Sequence, residues 1–153
     1  PLMSNKANLE RMLETMSEAA SNMPIIAPLR TDAAQVVKLL DASKHRNLHI
    51  VQPLGYLEFS YLLLNAAGVI TDSGNVAEEA TFTNVPCATL NSYTEHIETV
   101  KQGTNVLVGE DAQKLRTAVS DMVSGKWKTA TIPDRWDGRS AERIIQTLID
   151  FVK

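Results

Sequence analysis

The chain has 153 residues, 44% hydrophobic and 22% charged, with a formal net charge of −3 and a pI near 5.6. That is the make-up of one globular domain able to bury a core, and it is too apolar for a disordered chain. The mild acidity argues against nucleic-acid or anionic-membrane binding, and the apolar runs fall far short of the ~20 residues that a spanning helix needs.

Cys87 is the single cysteine, so no internal disulfide is expected, and a reducing, cytoplasmic setting fits. The start, Pro1-Leu2-Met3-Ser4-Asn5-Lys6, has no basic leader followed by a long apolar segment, so no signal peptide is expected. It also lacks a methionine at position 1, which points to a fragment of a longer protein.

Leu9, Met12, Leu13, Met16, Ala19 and Ala20 recur at helical spacing and predict a first helix. Pro24-Ile25-Ile26-Ala27-Pro28 is a short apolar run between prolines and reads as a buried strand. Thr31-Asp32 can cap a helix carrying Val36, Val37, Leu39 and Leu40. Leu48-His49-Ile50-Val51 is the second strand, and Gln52-Pro53-Leu54-Gly55 is a loop by its proline and glycine. Tyr56 to Ala67 is an apolar helix, Gly68 to Thr71 a third strand, and Val76 to Thr81 a short helix. Pro86 to Leu90 is the fourth strand, and Thr94 to Gln102 is helical, with Gly103 as its C-terminal stop. Asn105 to Val108 is the fifth strand, and Asp111 to Ser124 is helical with Leu115, Val119, Met122 and Val123 inward. After a tail with Trp127, Pro133 and Trp136, a last helix runs over 140–153.

Short, wholly apolar strands alternating with helices are the pattern of parallel strands buried on both faces. The fold class is α/β, a Rossmann-like doubly wound parallel sheet, and ligands bind such sheets beyond the carboxyl ends of the strands. A βαβ sheet normally begins with a strand, yet this chain opens on a helix, so a first strand is expected to be missing.

Three loops that follow strands carry plausible chemistry. In Thr71-Asp72-Ser73-Gly74-Asn75-Val76-Ala77-Glu78-Glu79-Ala80 a strand turns into a helix, whose free N–H groups and dipole favour an anion. Ser73 adds a hydroxyl and Gly74 permits close approach of a phosphate. Glu79 can accept hydrogen bonds from two ribose hydroxyls. The same letters also read as a capping box, with Asn75 as cap and Glu78 as its partner, and the pattern leaves both readings open. In Pro53-Leu54-Gly55-Tyr56-Leu57-Glu58-Phe59, backbone groups could read a base edge and Phe59 could stack on it, although Tyr56, Phe59 and Leu63 at helical spacing equally suit a core. In Tyr93-Thr94-Glu95-His96, the histidine at a helix start could donate to a phosphate. His45, in a polar loop, His49, in a strand, and His96 have no metal-ligand spacing, and no pair of groups reads as general acid and base. No metal, no cofactor and no catalytic residue is therefore expected in this chain.

These motifs, in this order, resemble the UDP-N-acetylglucosamine 2-epimerase family of the non-hydrolysing type. Pro53-Leu54-Gly55-Tyr56, Thr71 to Ala80, Asn84-Val85-Pro86, Thr94 to Glu98, Gly103-Thr104-Asn105-Val106-Leu107-Val108-Gly109 and Asp137 to Ile144 all stand in register with the family's carboxy-terminal half. The resemblance implies the second lobe of a GT-B-type two-lobe fold, residues 1–153 forming one UDP-binding lobe. It implies that UDP is eliminated to leave a 2-acetamidoglucal and then re-added with C2 inverted, interconverting UDP-GlcNAc and UDP-ManNAc. The acid–base carboxylates would lie in the missing amino-terminal lobe, so the isolated lobe is expected to be inactive. By position, Leu54 would read uracil through its backbone and Phe59 would pack on the base. Ser73, Gly74 and Asn75 would hold the diphosphate, and Glu79 the ribose. Asn75 replaces a glycine of the family pattern, His96 an arginine and Ile97 a proline, and Pro28-Leu29-Arg30-Thr31 stands near its His-Pro-Arg-Thr. Partners expected are UDP or a UDP-sugar, the missing lobe and, in one arrangement, a second copy as a homodimer. A glycosyltransferase donor lobe and a non-catalytic nucleotide-binding module are the alternatives.

Overall fold

The structure, a computed structural model, describes residues 6–29 and 45–152. The helix expected around Val36 to Leu40, Arg30 and Thr31 of the Pro28-Leu29-Arg30-Thr31 stretch and the first five residues lie outside them. Helix α1 (Lys6–Ala20) leads into β1 (Ile25–Pro28) and β2 (Leu48–Val51). Then come α2 (Tyr56–Asn65), β3 (Val69–Thr71), α3 (Gly74–Phe82), β4 (Cys87–Thr89), α4 (Ile97–Lys101), β5 (Asn105–Leu107), α5 (Ala112–Ser124) and α6 (Ser140–Val152).

Among the described residues every ladder is parallel. β1 pairs with β2 (Ile25 opposite Leu48), β3 with β4 (Val69 opposite Cys87) and β4 with β5 (Cys87 opposite Asn105). The sequence predicts one sheet, but among the described residues there are two, β1-β2 and β3-β4-β5, with no ladder joining β1 to β3. The strands are where the apolar runs put them; the continuity between the halves is what differs.

Successive residues of a strand face opposite sides, and β4 uses both. Ala88 faces a core of Met12 and Ala20 from α1 with Leu115, Ala118, Val119 and Met122 from α5. Cys87 faces a smaller core of Leu63 from α2, Ala77 and Ala80 from α3, and Val85. The three-stranded sheet is thus covered on both faces, as parallel sheets require. The β1-β2 pair is less covered, and Ile26 and Ile50 are exposed.

Asp111 caps α5, its carboxylate accepting from the N–H groups of Gln113 (2.9 Å) and Lys114 (3.0 Å). Gly103 does follow the end of α4, its N–H donating to the Glu98 carbonyl at 2.9 Å, but it does not take the left-handed conformation usual for a glycine stop. It is buried, and a Cβ there would lie 2.4 Å from the Thr81 side chain and 2.7 Å from the Thr99 carbonyl, so close packing of α3 on α4 requires glycine. Helix α6 leaves Ile144, Ile145, Leu148, Ile149 and Val152 exposed and buries no residue against the rest of the chain. Among the described residues no helix is long and apolar enough to cross a membrane.

Candidate functional site

The carboxyl ends of β3 and β4 open onto two loops that lead into α3 and α4. Ser73 has extended backbone angles and its carbonyl accepts the first helical bond, from Ala77 N at 3.2 Å, which makes Ser73 the N-cap position of α3. Its hydroxyl makes no capping bond, and its own N–H is held by Thr71 Oγ1 at 3.0 Å. The N–H groups of Gly74, Asn75 and Val76, in the first turn, therefore have no partner within the helix. Asn91 Nδ2 donates to the Asp72 carbonyl at 2.9 Å and fixes the loop from the β4 side.

The capping-box reading of this stretch fails. Asn75 sits inside α3, exposed, and not at its cap. Glu78 reaches sideways instead of back: its Oε1 lies 3.0 Å from His96 Nδ1. The imidazole in turn covers the helix start, so closely that a Cβ on Gly74 would meet His96 Cδ2 at 2.8 Å and Nε2 at 2.9 Å. Gly74 is thus needed for the approach of a side chain of this protein as much as for that of any ligand. Two loops far apart in sequence meet here, and Ser73, Gly74, Asn75 and His96 come together at one helix start.

His96 is itself held firmly. Its N–H donates to Thr94 Oγ1 (3.1 Å), and its carbonyl accepts from the hydroxyl and the N–H of Thr99 (2.7 and 3.0 Å). The Thr99 hydroxyl accepts from Asn105 Nδ2 at 3.2 Å, and Asn105 Oδ1 accepts from the Thr89 hydroxyl at 2.6 Å. All three of these side chains are buried. A polar chain thus runs from β4 through β5 to the carbonyl of His96. Sequence reasoning did not assign this role to Asn105; the signal available was an asparagine opening an otherwise apolar strand, where a polar residue is buried only with partners.

Glu79, next to Glu78, lines a different space. A cavity of about 480 Å³ lies between α2 and α3, bounded by Tyr56, Leu63, Glu78, Glu79, Phe82 and Trp136 among others. Trp136, unassigned by sequence, lines it from the tail. Leu54 lines a separate groove with Leu57, Glu58, Tyr61 and Leu62. Phe59 packs against the Leu63–Cys87 core, which is the core alternative weighed for it. The seven expected UDP contacts therefore fall into four at the α3 start, Glu79 in the α2–α3 cavity, Leu54 in the groove, and Phe59 on the core.

Cys87 is not a nucleophile: burial is the main cause that pushes its thiol up to about 12, so almost no thiolate exists at neutral pH. His45, expected in a polar loop, is buried, and its Nδ1 has no hydrogen-bond partner among the described residues. Sequence spacing offered no metal set. In the structure Glu78, His96 and Glu98 bring ligand-type atoms within 4.8 Å of one another, and two of them, His96 Nδ1 and Glu78 Oε1, are in direct contact at 3.0 Å.

The sequence matches the family model described as UDP-N-acetylglucosamine 2-epimerase over residues 3–149. The chain belongs to this family. The UDP-N-acetylglucosamine 2-epimerase of Methanocaldococcus jannaschii is 38% identical over 152 residues, an alignment covering 94% of this chain and 40% of that relative. The UDP-2,3-diacetamido-2,3-dideoxy-D-glucuronate 2-epimerase of Pseudomonas aeruginosa is 33% identical, covering 92% of this chain and 39% of that relative. The crystal structure of the M. jannaschii UDP-GlcNAc 2-epimerase in complex with UDP-GlcNAc and UDP superposes with a TM-score of 0.78 at 34% identity, covering 96% of this chain and 42% of that one. The chain thus spans about two-fifths of the length of the epimerase relatives it matches.

Proposed function

We propose that this chain is the UDP-binding carboxy-terminal lobe of a UDP-N-acetylglucosamine 2-epimerase, and that the intact protein interconverts UDP-GlcNAc and UDP-ManNAc by eliminating and re-adding UDP. The observation that carries the proposal is the start of α3, beyond the strand ends, where the N–H groups of the first turn have no helical partner and the His96 ring lies against Gly74. An oxygen-rich dianion fits such a place: the unpaired donors and the helix dipole both favour it. In this proposal Ser73, Gly74 and Asn75 cradle the diphosphate, His96 contacts it, Glu79 takes the ribose hydroxyls, and Leu54 and Phe59 border the uracil.

Elimination leaves negative charge on the departing diphosphate. Groups already fixed around it favour that step by position and by balancing charge, and they do so without transferring a proton. The protons are moved by the amino-terminal lobe. A Rossmann-like sheet of order 3-2-1-4-5-6 has one strand between its two halves, and a strand entering between β1 and β3 would join the two sheets found here in that order. The proposal assigns that strand, and the surface covering the apolar side of α6, to the remainder of the longer protein. A cytoplasmic location and a homodimer of the intact protein belong to the same proposal; light scattering tests the dimer.

Calorimetric titration of the intact protein with UDP tests the assignment. Saturable binding is expected, and no UDP-dependent heat at millimolar ligand would sink it. The 153 residues alone are expected to turn over no UDP-GlcNAc, and measurable epimerisation by them would overturn the division of labour.

A further inference from the structure

The His96–Glu78 contact constrains how the ring can meet an anion. A carboxylate offers only lone pairs, and a bare ring nitrogen held 3.0 Å from one would be repelled, so Nδ1 carries a proton. Neutral imidazole has a single proton to place, which leaves Nε2 a bare acceptor. Yet the Nε2 edge is the one that lies over Gly74 at the start of α3. An acceptor turned toward a phosphate oxygen repels it, whereas the imidazolium donates from both nitrogens.

We infer that His96 meets the diphosphate as the imidazolium, that UDP binding therefore takes up a proton, and that Glu78 is the positioning residue which imposes this by holding Nδ1. The inference rests on the proposed place of the diphosphate at α3 and adds to it the protonation state and a new role for Glu78. The charged groups facing the ring point the same way. Glu78 comes from α3 and Glu98 from α4, and no lysine or arginine among the described residues pairs with either. Without the extra proton an arriving diphosphate meets two uncompensated carboxylates. With it, one of them is already paired to a full positive charge.

The test is calorimetry of the intact protein with UDP, from about pH 5.5 to about pH 8.5, the range in which histidine changes charge. Buffers of different ionisation heat give the number of protons taken up. The wild type is expected to bind with proton uptake above that of His96→Arg, whose charge is permanent. Its affinity should fall as pH rises, by at most about tenfold per pH unit for one linked proton. Glu78→Gln separates positioning from mere support. The amide can donate to Nδ1, so a neutral ring can carry its proton on Nε2 and face the phosphate as a donor. Binding should persist in that variant with uptake reduced and a flatter pH profile. Equal uptake by wild type and His96→Arg, with UDP still bound, overturns the inference and leaves the UDP site standing. Wild-type uptake in Glu78→Gln overturns the role of Glu78. Absence of UDP binding by the wild type and by both variants at every pH overturns the site assignment itself.

Discussion

Asn105→Ala is the sharpest perturbation of the scaffold beneath the site. Asn105 is fully buried and makes two side-chain hydrogen bonds, accepting from Thr89 at 2.6 Å and donating to Thr99 at 3.2 Å. Each such bond contributes about 1 kcal/mol net, and a buried hydroxyl left without its acceptor costs about 1–3 kcal/mol. Thr99 keeps the His96 carbonyl as acceptor for its hydroxyl, so Thr89 is the group left stranded. The expected loss is about 2–4 kcal/mol, read from urea unfolding of wild type and variant by circular dichroism. The mechanism makes a second demand. If the stranded hydroxyl carries much of the cost, adding Thr89→Val to Asn105→Ala should recover about 1–2 kcal/mol, because removing both partners is far cheaper than removing one. A loss below about 1 kcal/mol, or a double variant no more stable than the single, would refute the network as the anchor of α4.

Glu79→Gln replaces a charged acceptor for ribose hydroxyls by a neutral one, and UDP should bind about 10–100-fold more weakly by calorimetry, as expected for loss of about 1.5–3 kcal/mol in charge-assisted bonds. Gly74→Ala would set a Cβ 2.8 Å from the His96 ring, so the ring must move; UDP affinity should drop while the chain stays folded by circular dichroism. Asp111→Ala should lower the melting temperature at neutral pH. Hydrogen bonding from the Lys114 N–H is the main cause that holds the Asp111 carboxyl below its ordinary value of 3.8. A carboxylate depressed in the folded state stabilises above its unfolded pKa, and that stability is lost as pH falls through the folded one, so the gap between wild type and Asp111→Ala should close only in strong acid.

Period and composition carried the elements well. Short, largely apolar runs of four or five residues located the five strands among the described residues, and for β3 to β5, covered on both faces, that is the pattern burial demands. Asp111 reads from sequence as the first residue of its helix and proves to be the cap just before it, a shift of one position. What escaped was tertiary. Asn75 followed by Glu78 fits a capping box by spacing, but His96 arrives from a loop near Tyr93 and takes the Glu78 carboxylate, while Ser73 holds the cap position. Gly103 has the right letter for a helix stop, yet its reason is contact with Thr81 and Thr99 on neighbouring elements. The break between β1 and β3 is a matter of which strand lies beside which, and no local pattern encodes it.

Cys87 lies at the centre of the three-stranded sheet with no exposed surface, and its thiol is held up at about 12. A thiol that is both hidden and protonated reacts only when the strands around it part. The rate at which a disulfide reagent labels this chain is therefore a clock for the opening of that sheet. Since Cys87 is the single cysteine, the clock is already installed, and the slowing of its tick by any added nucleotide would measure how tightly that molecule holds the folded form.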